Sequence, residues 1–425
     1  MRVLILVDCY YPSVKSSAKL VHDLAVELSR RAHEPIVLTP SDAISDDFQS
    51  SSEDGVSVVR VKTGQIKGAG KIGRGLREER LSAVLWTGAE KFLRSHPCDL
   101  ILFYSPTIFF GPLVRRLKEL WRCPAYLVLR DIFPDWAVEA GVLRKGLIYR
   151  YLRRVATQQY RAADVIAVQS PANLTHFGRT YPREKFRLEV LLNWAALKET
   201  TLPPTNYRAR LGIEGKTVFL YGGNIGIAQD MNNLLRLAAR MQNRPDIHFL
   251  LVGDGSEVPR LKKSVGRDGR SNIHVLSGLP QEEYLSMVSE CDVGLISLDV
   301  RLSSHNIPGK LLSYLYWGLP VLASVNPGND LFEILHDSGA GFCIRNGDDE
   351  NLYSSALRLT DNASLRCSMS RSARKLLDHR FSVGNAIETI FRQLESYGLI
   401  SVPCVKADAR VATPPACYLE IPERL

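Results

Sequence analysis

Short apolar runs alternate with helical patterns along most of the chain. The runs cover 3–7, 36–39, 56–61, 100–104, 125–129 and 165–169, then 217–221, 248–252, 273–276, 293–296, 321–323 and 341–344. Each is nearly continuous in apolar residues and is followed by Gly, Pro, Asp or Ser, as expected of central parallel strands buried on both faces. The segments between them show helical spacing, as in Leu20, Leu24, Ala25 and Leu28. Right-handed crossovers between such strands build doubly wound sheets, so the pattern predicts an α/β chain with two Rossmann-like halves. Both patterns break where Pro203-Pro204 and several threonines fall. That break predicts a first domain over 1–197, a linker at 198–207 and a second domain over 208–381. Ala386, Ile390 and Leu394 mark a further helix within 382–400, and the proline-bearing segment 401–425 reads as an irregular tail.

Size agrees with this division, because 425 residues exceed one comfortable core. Charge changes the picture more. Residues 1–200 hold 30 Lys+Arg against 21 Asp+Glu, whereas 201–425 hold 24 of each, so the whole excess of +9 lies in the first half. Such a surface attracts phosphates or anionic lipid headgroups. No arginine-rich run is interleaved with stacking aromatics, so nucleic acid is not an expected partner. The eight cysteines form no Cys-x-x-Cys pair, which predicts neither a zinc site nor a disulfide framework and fits a reducing cytoplasm. The first strand is too short for a signal peptide, and Pro106 and Pro112 interrupt the most apolar later stretch, so no membrane span is expected.

Three segments of the second half carry candidate chemistry. Tyr221-Gly-Gly-Asn-Ile-Gly-Ile-Ala-Gln229 follows a strand and precedes a helix; glycines let a backbone approach a ligand, although a tight turn without a ligand reads the same way. Pro308 suits the first turn of a helix that carries Lys310. A cation there opposes the helix dipole unless an anion shares the site, while a solvated lysine is the ordinary alternative. Leu251-Val-Gly-Asp-Gly255 and Leu276-Ser-Gly-Leu-Pro280 supply two further strand-end turns. In the first half, Tyr11-Pro-Ser-Val-Lys-Ser-Ser17 lacks the Gly-x-Gly-x-x-Gly of a dinucleotide site, which disfavours a dehydrogenase. Leu129-Arg-Asp-Ile-Phe-Pro-Asp135 places Arg130, Asp131 and Asp135 at a strand end, as crevice residues or as an ordinary ion pair.

In this order the motifs resemble the family 4 retaining glycosyltransferases of the GT-B fold, among them bacterial enzymes of O-antigen and capsule synthesis such as the N-acetylfucosamine transferases. The resemblance covers about residues 1–398. It rests most on 221–229, Pro308-Gly309-Lys310, the run 317–324 and Leu192-Asn193-Trp194. It implies two facing Rossmann-like domains, with the last helix crossing back to the first. A nucleoside-diphosphate sugar, UDP-linked by preference, is then held mainly by the second domain, and an acceptor by the first. The implied donor-binding positions are Ser16, Ser17, Asn193, Gly222, Gly223, Asn224, Gly226, Gln229, Gly253, Leu279, Asn306, Ile307, Pro308, Gly309 and Ser313. Asn224 and Gln229 stand where many relatives carry a cationic pair, and His305 and Ser313 where they carry two glutamates.

The mechanism expected from this resemblance passes through an oxocarbenium-like transition state. Lys310 and the N–H groups of the two loops stabilise the leaving diphosphate, His305 meets the donor sugar, and Asp131 orients the acceptor or stabilises positive charge at the anomeric carbon. No metal or other cofactor is expected. An undecaprenyl-diphosphate-linked saccharide at an anionic membrane suits the basic first half. Arg130, the loop with Lys67, Lys71, Arg74 and Arg77, and the segment with Arg144, Lys145, Arg150, Arg153 and Arg154 are the candidate contacts, with solvated helix faces as the alternative. The expected location is cytoplasmic, peripheral on the inner face of the bacterial inner membrane. A sugar-nucleotide 2-epimerase of the same fold and a weakly active scaffold subunit of a polysaccharide complex remain alternatives.

Overall fold

The computed structural model describes residues 1–13, 15–63, 79–139, 141–197, 205–267, 269–302 and 306–401. Lys67, Lys71, Arg74, Arg77 and His305, most of the expected linker and the tail beyond Ser401 lie outside these residues. All twelve expected strands are present. Arg2–Leu6 (β1), Glu34–Ser41 (β2), Phe48–Glu53 (β3), Val56–Lys62 (β4), Leu100–Tyr104 (β5), Ala125–Val128 (β6), Val165–Val168 (β7) and Leu188–Val190 (β8) form one sheet in the order β3-β4-β2-β1-β5-β6-β7-β8. Thr217–Gly222 (β9), Ile247–Val252 (β10), Ile273–Leu276 (β11), Val293–Ser297 (β12), Val321–Val325 (β13) and Gly341–Arg345 (β14) form the other, in the order β11-β10-β9-β12-β13-β14. Every strand pair is parallel except β3 with β4.

The two strands that the pattern misses are edge strands. β3 reads Phe-Gln-Ser-Ser-Ser-Glu and alternates toward solvent, so it has no apolar run to announce it. β8 has three residues, none of them fully buried. Strand order reverses between β1 and β5 in the first sheet and between β9 and β12 in the second. Ligands of open α/β sheets bind beyond the carboxyl ends of strands at such points. These points select the loops after β1 and β5 in one sheet and after β9 and β12 in the other, with the loops after the neighbouring β6 and β10 beside them.

Both faces of the first sheet are covered. Leu4, Phe103 and Leu127 pack with Leu85, Phe110 and Tyr160 on one side, and Val3, Ile5 and Tyr126 pack with Leu24 and Trp194 on the other. The second group also takes in Ala386, Ile387, Ile390 and Leu394 of the helix Val383–Ser396. Burying each of the three larger side chains contributes about 2 kcal/mol. Ser382 Oγ caps this helix by accepting from Asn385 N, and Tyr126 Oη donates to Gln393 Oε1 at 2.6 Å. The two chain crossings between the sheets also bond to one another, Ala195 N to Phe381 O at 2.8 Å and Val383 N to Ala195 O at 3.0 Å.

Candidate active site

The glycine turn after β9 is laced to its neighbours. Gly222 N donates to Tyr314 Oη at 3.0 Å, and Tyr314 Oη donates to Leu295 O at 3.1 Å, which ties the turn to the helix Lys310–Trp317 and to β12. Gly223 N donates to Val252 O at 2.9 Å, Ile225 N to Asp254 O at 2.8 Å, and Gly278 N to Asp254 Oδ1 at 3.0 Å. A Cβ at Gly253 would stand 1.7 Å from Gly223 O, so only glycine permits this approach of two backbones. Gly223 itself has φ +105.

Lys310 faces this turn. Its Cε lies 3.7 Å from where a Cβ on Gly223 would be, and its Nζ donates to Tyr221 Oη at 2.7 Å, 3.9 Å from the ring centroid. Desolvation is the one cause acting on the ammonium of this half-buried residue, and it pushes the pKa down to about 7. At the start of its helix Leu311 N and Leu312 N donate to Pro308 O and Gly309 O, which leaves the N–H groups of Gly309 and Lys310 ahead of the first such bond. A diphosphate between turn and helix would satisfy those groups and restore the lysine's charge.

The neutral residues nearby are spent on the loops themselves. Gln229 Oε1 accepts from Asn224 Nδ2 at 3.0 Å and from Gly226 N at 3.1 Å, closing its own turn. Ser313 Oγ donates to Lys310 O at 2.9 Å inside the first helical turn. Pro308 O accepts from Leu311 N at 3.0 Å, Gly309 has open space around it, and Leu279 packs against the core of the second sheet.

The first domain grips the segment that leads into Lys310. Gln169 Nε2 donates to Ile307 O at 2.8 Å, and Asn173 Nδ2 donates to Asn306 Oδ1 at 2.8 Å. Asn306 Nδ2 reaches Arg130 O at 3.4 Å. Asp330 Oδ2 accepts from Ala172 N at 2.9 Å, placing a carboxylate of the second domain at the start of the helix Pro171–Thr180. Sequence reasoning missed Gln169, Asn173 and Asp330. No local motif marks them, since each partner lies 133 to 158 residues away.

The carboxyl ends of the first sheet enclose a cavity of about 1100 Å³ whose lining includes Cys9, Tyr11, Arg60, Asp131, Phe133 and Trp136. Tyr11 and Trp136 are exposed aromatics. Burial raises the Asp131 carboxyl pKa, and the neighbouring Arg130 charge opposes the rise. Asp135, also expected in the crevice, instead accepts from Tyr149 Oη at 2.7 Å and Tyr181 Oη at 3.2 Å. Ser16 starts the helix Ser16–Arg30, Ser17 Oγ sits 3.3 Å from Cys9 Sγ, and Asn193 Oδ1 is buried with no hydrogen-bond partner among the described residues.

Two arginines expected at the acceptor or membrane are engaged within the fold. Arg130 is buried; it donates to Leu191 O at 2.5 Å and to Leu192 O at 3.4 Å, and lies 5.3 Å over the Trp194 ring. It braces the chain just before the domain crossing. Arg153 donates to the Thr180 carbonyl and lies 5.1 Å over the Tyr181 ring. Arg150 and Arg154 are exposed.

Residues 17–194 match the model of the glycosyl transferase 4-like domain, and residues 204–376 match that of the glycosyl transferases group 1. A probable glycosyltransferase, WbjE of Pseudomonas aeruginosa, is 29% identical over 220 residues, which are 51% of this chain and 54% of that protein. The putative colanic acid biosynthesis glycosyl transferase WcaI of Escherichia coli K12 is 23% identical over 232 residues, 52% of this chain and 56% of that one. The matched part of the chain thus spans little more than half the length of either relative. The structure of Anabaena Alr3699/HepE in complex with UDP-glucose superposes with a TM-score of 0.65 at 16% identity, covering 93% of this chain and all of that one, a likeness of fold. With both halves matched in order and two Rossmann-like sheets in place, the chain belongs to the GT-B-fold glycosyltransferases of the family 4 type.

Proposed function

We propose that the protein transfers a hexosyl unit from a UDP-sugar to a saccharide carried on a lipid diphosphate, with retention, during synthesis of a surface polysaccharide. The observation that carries this reading is the partly desolvated Lys310 opening a helix against the glycine turn at 222–226. UDP is favoured by the UDP-glucose complex of the similar Anabaena protein, and a polysaccharide product by the relative assigned to colanic acid. The bond from the anomeric carbon to the diphosphate oxygen breaks, and its electron pair leaves on that oxygen. Lys310 and the loop N–H groups stabilise the charge. The acceptor hydroxyl attacks from the face the diphosphate leaves, and its proton passes to the departing phosphate oxygen. Asp131, on the wall of the first-domain cavity, orients the acceptor.

A thermal-shift panel of UDP-, GDP- and dTDP-sugars, UDP-N-acetylfucosamine included, identifies the donor. Transfer to an undecaprenyl-diphosphate-linked saccharide then tests the reaction. Stabilisation by a UDP-sugar and an α-linked product from an α-linked donor are expected. Release of free UDP without any acceptor would point to an epimerase. Binding without turnover on any lipid acceptor would leave a scaffold subunit.

A further inference from the structure

Of the ten large apolar side chains that stand exposed among the described residues, five fall between positions 136 and 151. Leu147, Ile148 and Val142 are 79%, 68% and 75% exposed. Single exposed apolar residues are ordinary, but a contiguous cluster marks an interaction surface. This one is held firmly from behind. Val142 N and Leu143 N both donate to Ala137 O, which folds the turn back on the short helix Asp135–Glu139. Tyr149 is buried and donates to Asp135, while Ala156 and Tyr160 anchor the far half of the helix Leu147–Ala162 in the first core. The first turns of that helix therefore stand proud of the body on a fixed base.

The charge around the cluster is mainly positive. No acidic residue occurs between Glu139 and Asp164. Arg144, Lys145, Arg150 and Arg154 are all exposed, and Glu79 is the acid met by the Tyr151 hydroxyl. Apolar tips among cations match the headgroup region of an anionic bilayer. A second copy docked face to face would bring two such basic rings together, which like charge disfavours. Trp136, one of the five exposed residues, also lines the cavity that holds Asp131, so the cluster and the cavity share an edge.

We propose that the protrusion at 142–151 seats in the surface of an anionic lipid bilayer and sets the mouth of the Asp131 cavity beside the headgroups. The proposal rests on the reading of the cavity as the site of a lipid-linked acceptor. It makes attachment peripheral, and no helix among the described residues is long and apolar enough to cross a membrane.

Co-sedimentation of the full chain with vesicles tests it, comparing phosphatidylcholine alone with phosphatidylcholine mixed with phosphatidylglycerol. Binding is expected to be about tenfold or more tighter to the anionic vesicles and to weaken with salt. The double variant Leu147→Glu/Ile148→Glu should lose about tenfold or more of that binding. Its melting temperature and UDP-sugar affinity should stay those of the parent. Arg144→Gln/Lys145→Gln should lose the preference for anionic lipid. Equal sedimentation of parent and double variant would overturn the proposal. So would light scattering that shows a dimer which the double variant splits, with vesicles left unbound. Vesicle binding by a protein without transferase activity would refute only the proposed reaction. Transfer to a water-soluble acceptor by a protein that ignores vesicles would refute only the membrane seat.

Discussion

Lys310 should make donor binding depend on pH in a way an ordinary lysine would not. With a pKa of about 7 in the free protein, its Nζ is about half protonated at pH 7 and about one-tenth protonated at pH 8. A bound diphosphate holds the proton, so the complex takes it up and the apparent Kd scales as about 1 + 10^(pH − 7). That factor is about 1.1 at pH 6 and about 11 at pH 8, a tenfold loss of affinity or about 1.4 kcal/mol. A UDP-sugar is the right probe, because its diphosphate diester stays fully ionised across this range. Titration calorimetry in two buffers of different ionisation heat should read an uptake of about 0.1 proton per site at pH 6 and about 0.9 at pH 8. Lys310→Arg keeps the charge and should abolish both the uptake and the slope. A pH-independent Kd in the parent, or an uptake that survives Lys310→Arg, would show that no proton on Lys310 is linked to donor binding.

Gly253→Ala drives a Cβ onto the Gly223 carbonyl oxygen, so nucleotide affinity should fall at least about tenfold as the turn shifts; unchanged affinity would show that the two backbones part freely. Arg130→Met leaves the buried Leu191 carbonyl without its donor and should cost roughly 2–4 kcal/mol, read as a melting temperature lower by several degrees. A raised acceptor KM at unchanged stability would return Arg130 to the acceptor site. His248 is fully buried with its Nε2 2.7 Å from His274 Nδ1, and burial lowers its pKa to about 3. The unfolded chain takes up a proton near pH 6.5 that the fold refuses, so stability is full above pH 6.5 and drains as pH falls toward 3. Between pH 7 and pH 5 the loss should be about 2 kcal/mol greater than in His248→Leu, and parallel pH profiles of the two proteins would contradict this.

The strands were legible wherever both faces are buried, because a short unbroken apolar run is costly anywhere except in a sheet covered on both sides. Polar β3 and three-residue β8 escaped, since an edge strand needs neither a full apolar face nor length. Pro308 and Lys310 could be read as a helix start because their chemistry is local. Gln169, Asn173 and Asp330 could not, since their roles depend on how two domains meet. Arg130 shows the opposite failure. The sequence places a charge at a strand end, but not the two carbonyls from 191–192 that capture it. The basic side chains of 144–154 were visible as a charge run. The exposure of Leu147 and Ile148 beside them follows from where the helix leaves the body, which periodicity does not encode.

The most direct test is a crystal structure of the protein with an intact UDP-sugar bound. Both phosphates should lie between the two loops, with oxygens about 2.7–3.2 Å from Lys310 Nζ and from N–H groups of the 222–226 turn, and Lys310 drawn off Tyr221. A nucleotide seated in the first-domain cavity, with Lys310 still on the Tyr221 hydroxyl, would contradict the account.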